Sequence, residues 1–102
     1  MKNALMIDAR DNVAVVIEPV RRGESVIFER EGREASLTAL EDITIYHKVA
    51  VCAIPRGEPV VKYGEHIGIA SRDIREGEHV HTHNLRGRRE NLESKAAEEV
   101  RQ

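Results

Sequence analysis

Three segments of this chain repeat one short pattern, and that pattern limits the fold more than any other feature. Ile54-Pro55-Arg56-Gly57-Glu58-Pro59-Val60 and Ile74-Arg75-Glu76-Gly77-Glu78-His79-Val80 both read I-x-x-G-E-x-V, and Val20-Arg21-Arg22-Gly23-Glu24-Ser25-Val26 is a third copy with Val in first place. An apolar residue anchors the entry, two exposed residues make the turn, and glycine takes a conformation that a Cβ opposes. The chain then re-enters a strand whose Val points inward. Turn chemistry alone accounts for the Gly-Glu pairs, so the repeat speaks for architecture rather than for a ligand.

Between the turns run short apolar stretches. Leu5–Ile7, Val13–Ile17, Ser25–Phe28, Glu34–Thr38, Val49–Ile54, Pro59–Lys62 and Ile67–Ala70 are rich in β-branched residues and spaced like strands. Arg30-Glu31-Gly32-Arg33 reads as a hairpin turn with Gly32 free to take positive φ. A small all-β domain over residues 1–87 is expected. The last segment, 88–102, differs: Asn91 can cap a helix, and Leu92, Ala96 and Val100 form one narrow stripe, so a C-terminal helical tail is expected there.

Composition narrows the classes. The chain has 102 residues, enough for one domain, and its 3% aromatic content leaves Val, Ile, Leu and Ala to make the core. So few rings argue against base stacking on a nucleic acid. Sixteen Lys/Arg against eighteen Asp/Glu give a net charge of −2, which removes the broad pull that a DNA or membrane-surface binder needs. A single cysteine, Cys52, excludes an internal disulfide framework and a Cys-rich zinc site, and its apolar surroundings suggest an inert thiol. The N-terminal apolar run is too short for a signal peptide or a membrane span. A soluble, cytoplasmic domain is the expectation.

Chemistry concentrates in His79-Val80-His81-Thr82-His83-Asn84. Extended, this stretch puts three histidines on one face, about 6.5–7 Å apart. Two imidazoles of an H-x-H pair can tilt towards one divalent ion, with a third ligand from Asn84, His47 or a carboxylate on another chain; imidazole and carboxylate donors suit Fe, Mn, Zn or Ni better than Ca or Mg. The competing reading is a polar, titratable strand face, which would make a pH-responsive surface. His47 and His66 each read individually as surface or turn residues, and Lys48 beside His47 is a point charge for a carboxylate. No Ser-His-Asp order, phosphate-cradling glycine loop or Cys pair is present, and no general base can be placed.

The run His47-Lys48-Val49-Ala50, then Ile54-x-x-Gly57-Glu58-Pro59-Val60-Val61-Lys62-Tyr63-Gly64-Glu65-x-Ile67-Gly68-x-Ala70, then Asp73-Ile74-x-x-Gly77-Glu78-x-Val80-His81-x-His83-Asn84 resembles the SAF domain of the altronate/galactarate dehydratase family. Asp11-Asn12-Val13-Ala14-Val15 is similar to the family's opening strand, so the resemblance covers roughly residues 8–87. It implies a β-clip fold. It also implies a small domain or small subunit of a lyase that dehydrates a sugar acid with a divalent metal, Fe²⁺ or Mn²⁺, held mainly by a large partner subunit. The sulfolactate sulfo-lyases are a sister group with the same two-part plan. Carried over residue by residue, the resemblance implies metal contact at His81 and His83, and substrate contact at His47, Lys48, Lys62, Tyr63 and Asn84; it assigns no catalytic residue. Tyr46 stands where many relatives have Gly, and Ala53 where the Asp of an Asp-Ile pair is usual. A sulfo-lyase small subunit, a non-enzymatic β-clip module binding a sugar acid or a protein, and a homo-oligomer are the alternatives.

Overall fold

The computed structural model describes residues 2–87, and the tail expected over 88–102 lies outside them. All regular structure among the described residues is strand, as the turn repeat leads one to expect. No helix there is long and apolar enough to cross a membrane. The strands are β1 (Ala4–Leu5), β2 (Val13–Val16), β3 (Ser25–Arg30), β4 (Arg33–Thr38), β5 (Lys48–Ala50), β6 (Pro59–Lys62), β7 (Glu65–Ala70), β8 (His79–Val80) and β9 (Leu85–Gly87). They form an antiparallel sheet in the order β1-β2-β5-β8, a β3-β4 hairpin and a sheet in the order β6-β7-β9.

The two hairpins follow from turn chemistry. Glu31 and Gly32 take φ of 49° and 79°, and Tyr63 and Gly64 take 55° and 74°. Two consecutive positive φ values are the signature of the type I′ turn, whose twist matches that of the flanking strands. Gly68 has a different reason to be glycine. A Cβ there would collide with the Arg86 carbonyl, so only glycine lets β9 close on β7.

The central sheet lies between two apolar clusters. Ala14, Val16, Val49 and Val51 face one, with Val20, Val26, Phe28 and Ile43; Val13, Ala50 and Val80 face the other, with Ile54, Val60 and Ile74. Burial on both faces explains why Val13–Val16 and Lys48–Val51 read as nearly continuous apolar runs instead of alternating. Each fully buried Ile or Val contributes on the order of 1.5–3 kcal/mol. Asn12 ties this sheet to β6: its Oδ1 accepts from Val61 N at 2.7 Å and its Nδ2 donates to the Pro59 carbonyl at 2.9 Å. Buried Asp11 accepts from the Gly64 and Asp8 amides at 2.8 and 3.1 Å. The opening Asp-Asn pair is therefore a clamp.

The repeat is present four times, not three. The apolar anchors pair as isolated bridges, Val20 with Ile43 and Ile54 with Ile74. In every copy the fourth residue of the turn donates back to the first: Glu24 to Arg21, His47 to Thr44, Glu58 to Pro55 and Glu78 to Arg75, at 2.9–3.0 Å. The preceding amide donates to the residue four before the paired copy's apolar anchor, Gly23 to Ala39, Tyr46 to Val16, Gly57 to Ala70 and Gly77 to Ala50, at 2.8–2.9 Å. The hidden copy is Ile43-Thr44-Ile45-Tyr46-His47-Lys48-Val49, in which Tyr46 holds φ of 68° where the others have glycine at 87–90°. Replacing Gly by Tyr therefore leaves the turn intact.

Candidate functional site

His47 occupies the position that is glutamate in the other three copies. Two of those glutamates cap their own turn: Glu24 accepts from Arg21 N at 2.7 Å and Glu78 from Arg75 N at 3.1 Å. In the third, Pro55 has no N–H for Glu58 to accept. His47 instead sends its ring across the sheet. Pairing of β5 with β8 sets Val49 opposite His79, so strand alternation brings His47, His79 and His81 to one side of the edge strand.

The three rings stack there. His47 lies 4.3 Å from His81 and 5.0 Å from His79 between ring centroids, and His79 and His81 are 5.5 Å apart and nearly parallel. His47 Nδ1 and His79 Nε2 share a 2.8 Å hydrogen bond, so one ring donates and the other accepts through an uncharged nitrogen. Burial foremost, then the neighbouring His47 and His83, lower the His79 pKa, with Glu41 opposing them. Burial, His47, Lys48 and His83 lower that of His81. Both effects favour the neutral imidazole, the form that ligates metal.

The expected extended run from His79 to Asn84 is corrected by the structure. Strand geometry ends at Val80, and residues 81–84 turn. Asn84 drives this: fully buried, it accepts from His81 N through Oδ1 at 2.9 Å and donates through Nδ2 to the His79 carbonyl at 2.8 Å. Both ends of its amide are engaged on the backbone that carries the histidines. Because the chain bends, His83 leaves the stack and joins His79 and Glu41 instead. His81 and His83, expected together, thus fall in different donor sets, and His79 belongs to both.

Ligand atoms of His47, His79 and His81 all lie within 4.8 Å of one another. A tetrahedral ion with metal–nitrogen bonds of 2.0–2.1 Å holds its donors about 3.3 Å apart. On binding, the 2.8 Å imidazole pair would open by about half an ångström and give up its shared proton, other pairs would draw together from at most 4.8 Å, and three imidazole nitrogens suit a divalent transition metal.

Lys48, on the opposite face of β5, lines a recess of 180 Å³ with His81, Thr82, Leu85 and Gly87. Its pKa is lowered by burial and then by Lys62. Lys62 lies 4.9 Å from the Tyr63 ring centroid. His66 is exposed on β7 and joins neither donor set. A larger groove of 380 Å³, between Lys2–Ala9 and Glu29–Gly32, contains no histidine and lies away from this chemistry. Half-buried Cys52 has its thiol pKa pushed up by burial, in keeping with an inert thiol. Sequence reasoning singled out His79 among the three histidines but did not carry it into the expected metal pair, and it missed Glu41 altogether. No local motif marks Glu41, which meets the histidines only through the fold.

Comparison with known proteins bears on what this edge serves. Residues 2–88 match the sequence profile of the altronate/galactarate dehydratase SAF domain. Altronate dehydratase of Bacillus subtilis (strain 168) is 36% identical over 86 residues, which is 84% of this chain and 16% of that protein. The Escherichia coli (strain K12) altronate dehydratase is 39% identical over 82 residues, again 16% of its length. The (2R)-sulfolactate sulfo-lyase subunit alpha of Paracoccus pantotrophus is 51% identical over 63 residues, which is 62% of this chain and 94% of that subunit. The chain therefore spans a small fraction of the dehydratases and nearly the whole of the sulfo-lyase subunit.

Proposed function

Because the chain belongs to the altronate/galactarate dehydratase SAF-domain family, we propose that it is the small part of a metal-dependent lyase that removes water from a sugar acid. It lends one wall to a site that a large partner subunit completes. The observation that carries this reading is the imidazole stack, built where one turn copy departs from the other three.

Elimination from a hydroxy acid takes a weakly acidic proton beside a carboxylate and expels a poor leaving group. His47, His79 and His81 would hold an Fe²⁺ or Mn²⁺ ion, which when bound polarises the carboxylate and eases departure of the leaving group. Lys48 and Lys62 bring positive charge to the substrate carboxylate, and Tyr63 orders Lys62. Among the described residues no carboxylate lines the recess, and this reading assigns the base to the partner subunit. A volume of 180 Å³ falls below the 300–1,000 Å³ usual for a small-molecule pocket, as suits one wall of a shared site.

A sulfo-lyase small subunit is the second reading, favoured by the 51% identity to the Paracoccus alpha subunit. Its chemistry differs only in the leaving group, sulfite instead of hydroxide.

The test is reconstitution. Co-expressed with a large dehydratase-like chain and supplied with Fe²⁺ or Mn²⁺, the pair is assayed on altronate, galactarate and sulfolactate. His47→Ala/His81→Ala is expected to reduce turnover by about 10–100-fold or more. A large chain that is fully active alone, and unaffected by the variant small chain, would overturn the proposal.

A further inference from the structure

The histidine cluster contains a second donor set that the proposed lyase role does not use. Glu41, His79 and His83 offer one carboxylate oxygen and two ring nitrogens, all within 4.8 Å of one another. The His79 and His83 rings stand 5.4 Å apart at 43°. Glu41 sits in the segment that leads into the fourth turn copy, and the bend at residues 81–84 swings His83 towards it. Two features of the fold, the hidden repeat and the Asn84-held turn, thus converge on one place.

His79 is common to both sets, and its Nε2 is already turned towards His47 Nδ1 at 2.8 Å. Ligating two ions through one neutral ring requires loss of its remaining N–H, which is unfavourable near neutral pH. We infer that Glu41, His79 and His83 form a second, outer seat for a divalent transition-metal ion, so that each chain holds one ion in either of two overlapping positions that meet at His79.

The two seats differ in chemistry. Three neutral imidazoles make the inner one, whereas two imidazoles and a carboxylate make the outer one, which is harder, carries a negative charge and leaves coordination positions open. The outer seat is also the more accessible, because His83 is exposed while all three inner histidines are half-buried. An ion arriving from solvent therefore meets the outer seat first. This inference does not depend on the lyase reading, since it concerns metal binding by the isolated chain.

The probe is Co²⁺, titrated into the full chain and followed by visible absorption. His47→Ala/His81→Ala is expected to keep one Co²⁺ per chain with an altered spectrum, and adding Glu41→Gln or His83→Ala to weaken that residual binding by about tenfold or more. His47→Phe/His81→Phe, which keeps ring contacts and removes the donor atoms, is titrated in parallel. It decides the matter if the alanine pair does not fold. The inference is overturned if the folded pair binds no Co²⁺ at millimolar concentration, if Glu41→Gln leaves its affinity unchanged, or if the wild-type chain binds two ions at once.

Discussion

Asn84 offers the sharpest test of how the histidines are held. Its side chain is fully buried, and its two hydrogen bonds, to His81 N at 2.9 Å and to the His79 carbonyl at 2.8 Å, bracket the end of β8. Substitution by Ala removes two bonds worth about 1 kcal/mol each in net terms and leaves a buried donor or acceptor unpaired at a further 1–3 kcal/mol. The expected loss is about 3–5 kcal/mol, a large share of the 5–15 kcal/mol that stabilises a typical domain. At roughly 4–8 °C per kcal/mol for a domain of this size, the unfolding midpoint should drop by about 12–40 °C.

Asn84→Asp separates the two bonds. It keeps an acceptor for His81 N but sets a carboxylate oxygen against the His79 carbonyl, so it should be at least as harmful as Ala. Urea and thermal unfolding with a chelator present measure stability free of any bound ion. Metal titration should then show affinity reduced by about 10–100-fold, because the side chain orients two ligand-bearing residues without touching the ion. If both variants stay within about 0.5 kcal/mol of wild type, Asn84 does not hold the turn and the account of the bend is wrong. A raised KM in the reconstituted complex at unchanged stability would return Asn84 to the role of a substrate contact.

Other consequences can be checked on the isolated domain. Tyr46, at φ of 68° and 70% exposed, should give a domain more stable by about 0.5–1 kcal/mol when changed to Gly, since left-handed strain is relieved and little packing is lost; a lower thermal midpoint contradicts this. Gly23 and Gly77 share φ of 90°, but a Cβ on Gly23 meets open space whereas one on Gly77 collides with the Thr38 carbonyl. Gly23→Ala should therefore cost about 1–2 kcal/mol and Gly77→Ala clearly more, and equal costs in urea unfolding refute the packing argument. His79 and His81 have pKa values lowered first by burial and then by the neighbouring histidines, with Lys48 adding to the effect at His81, so as pH falls the unfolded chain binds protons first. Their contribution to metal-free stability is complete above about pH 6.5 and is lost as pH drops through the lowered values, and His79→Gln/His81→Gln should flatten that slope in urea midpoints; an unchanged slope contradicts the assignment.

How much of this was legible beforehand follows from which interactions are local. The hairpin at Glu31-Gly32 and the turns at Gly23, Gly57 and Gly77 were readable because residue type alone sets their backbone. Val49–Ile54 read as one long strand, yet β5 ends at Ala50 and Ile54 makes only an isolated bridge to Ile74. Apolar continuity marks burial, and burial there comes from the two clusters on either side of the sheet, not from an unbroken ladder. The run from His79 to Asn84 misled for a related reason. Alternation of His with Val and Thr suits a strand, but Asn84, by returning its amide to His79 and His81, makes a turn that no period-two pattern reveals.

The site was less legible than the fold because its parts are distant in sequence and one was disguised. His47 and His79 are 32 residues apart and meet only through the β5–β8 register. A search for I-x-x-G-E-x-V passes over Ile43–Val49, where Tyr stands for Gly and His for Glu, although the backbone there makes the same hydrogen-bond connections as the other copies. Three copies that obey the pattern have glutamates at the fourth turn position, two of them capping their own turns. Once a turn is held by its backbone alone, that position is free to carry another side chain at little structural cost. The copy that breaks the pattern twice is therefore where a ligand site can arise on this scaffold, and its register with β8 puts the substituted residue against two further histidines. In a domain built of repeated turns, the departure from the repeat is a better guide to chemistry than the repeat itself.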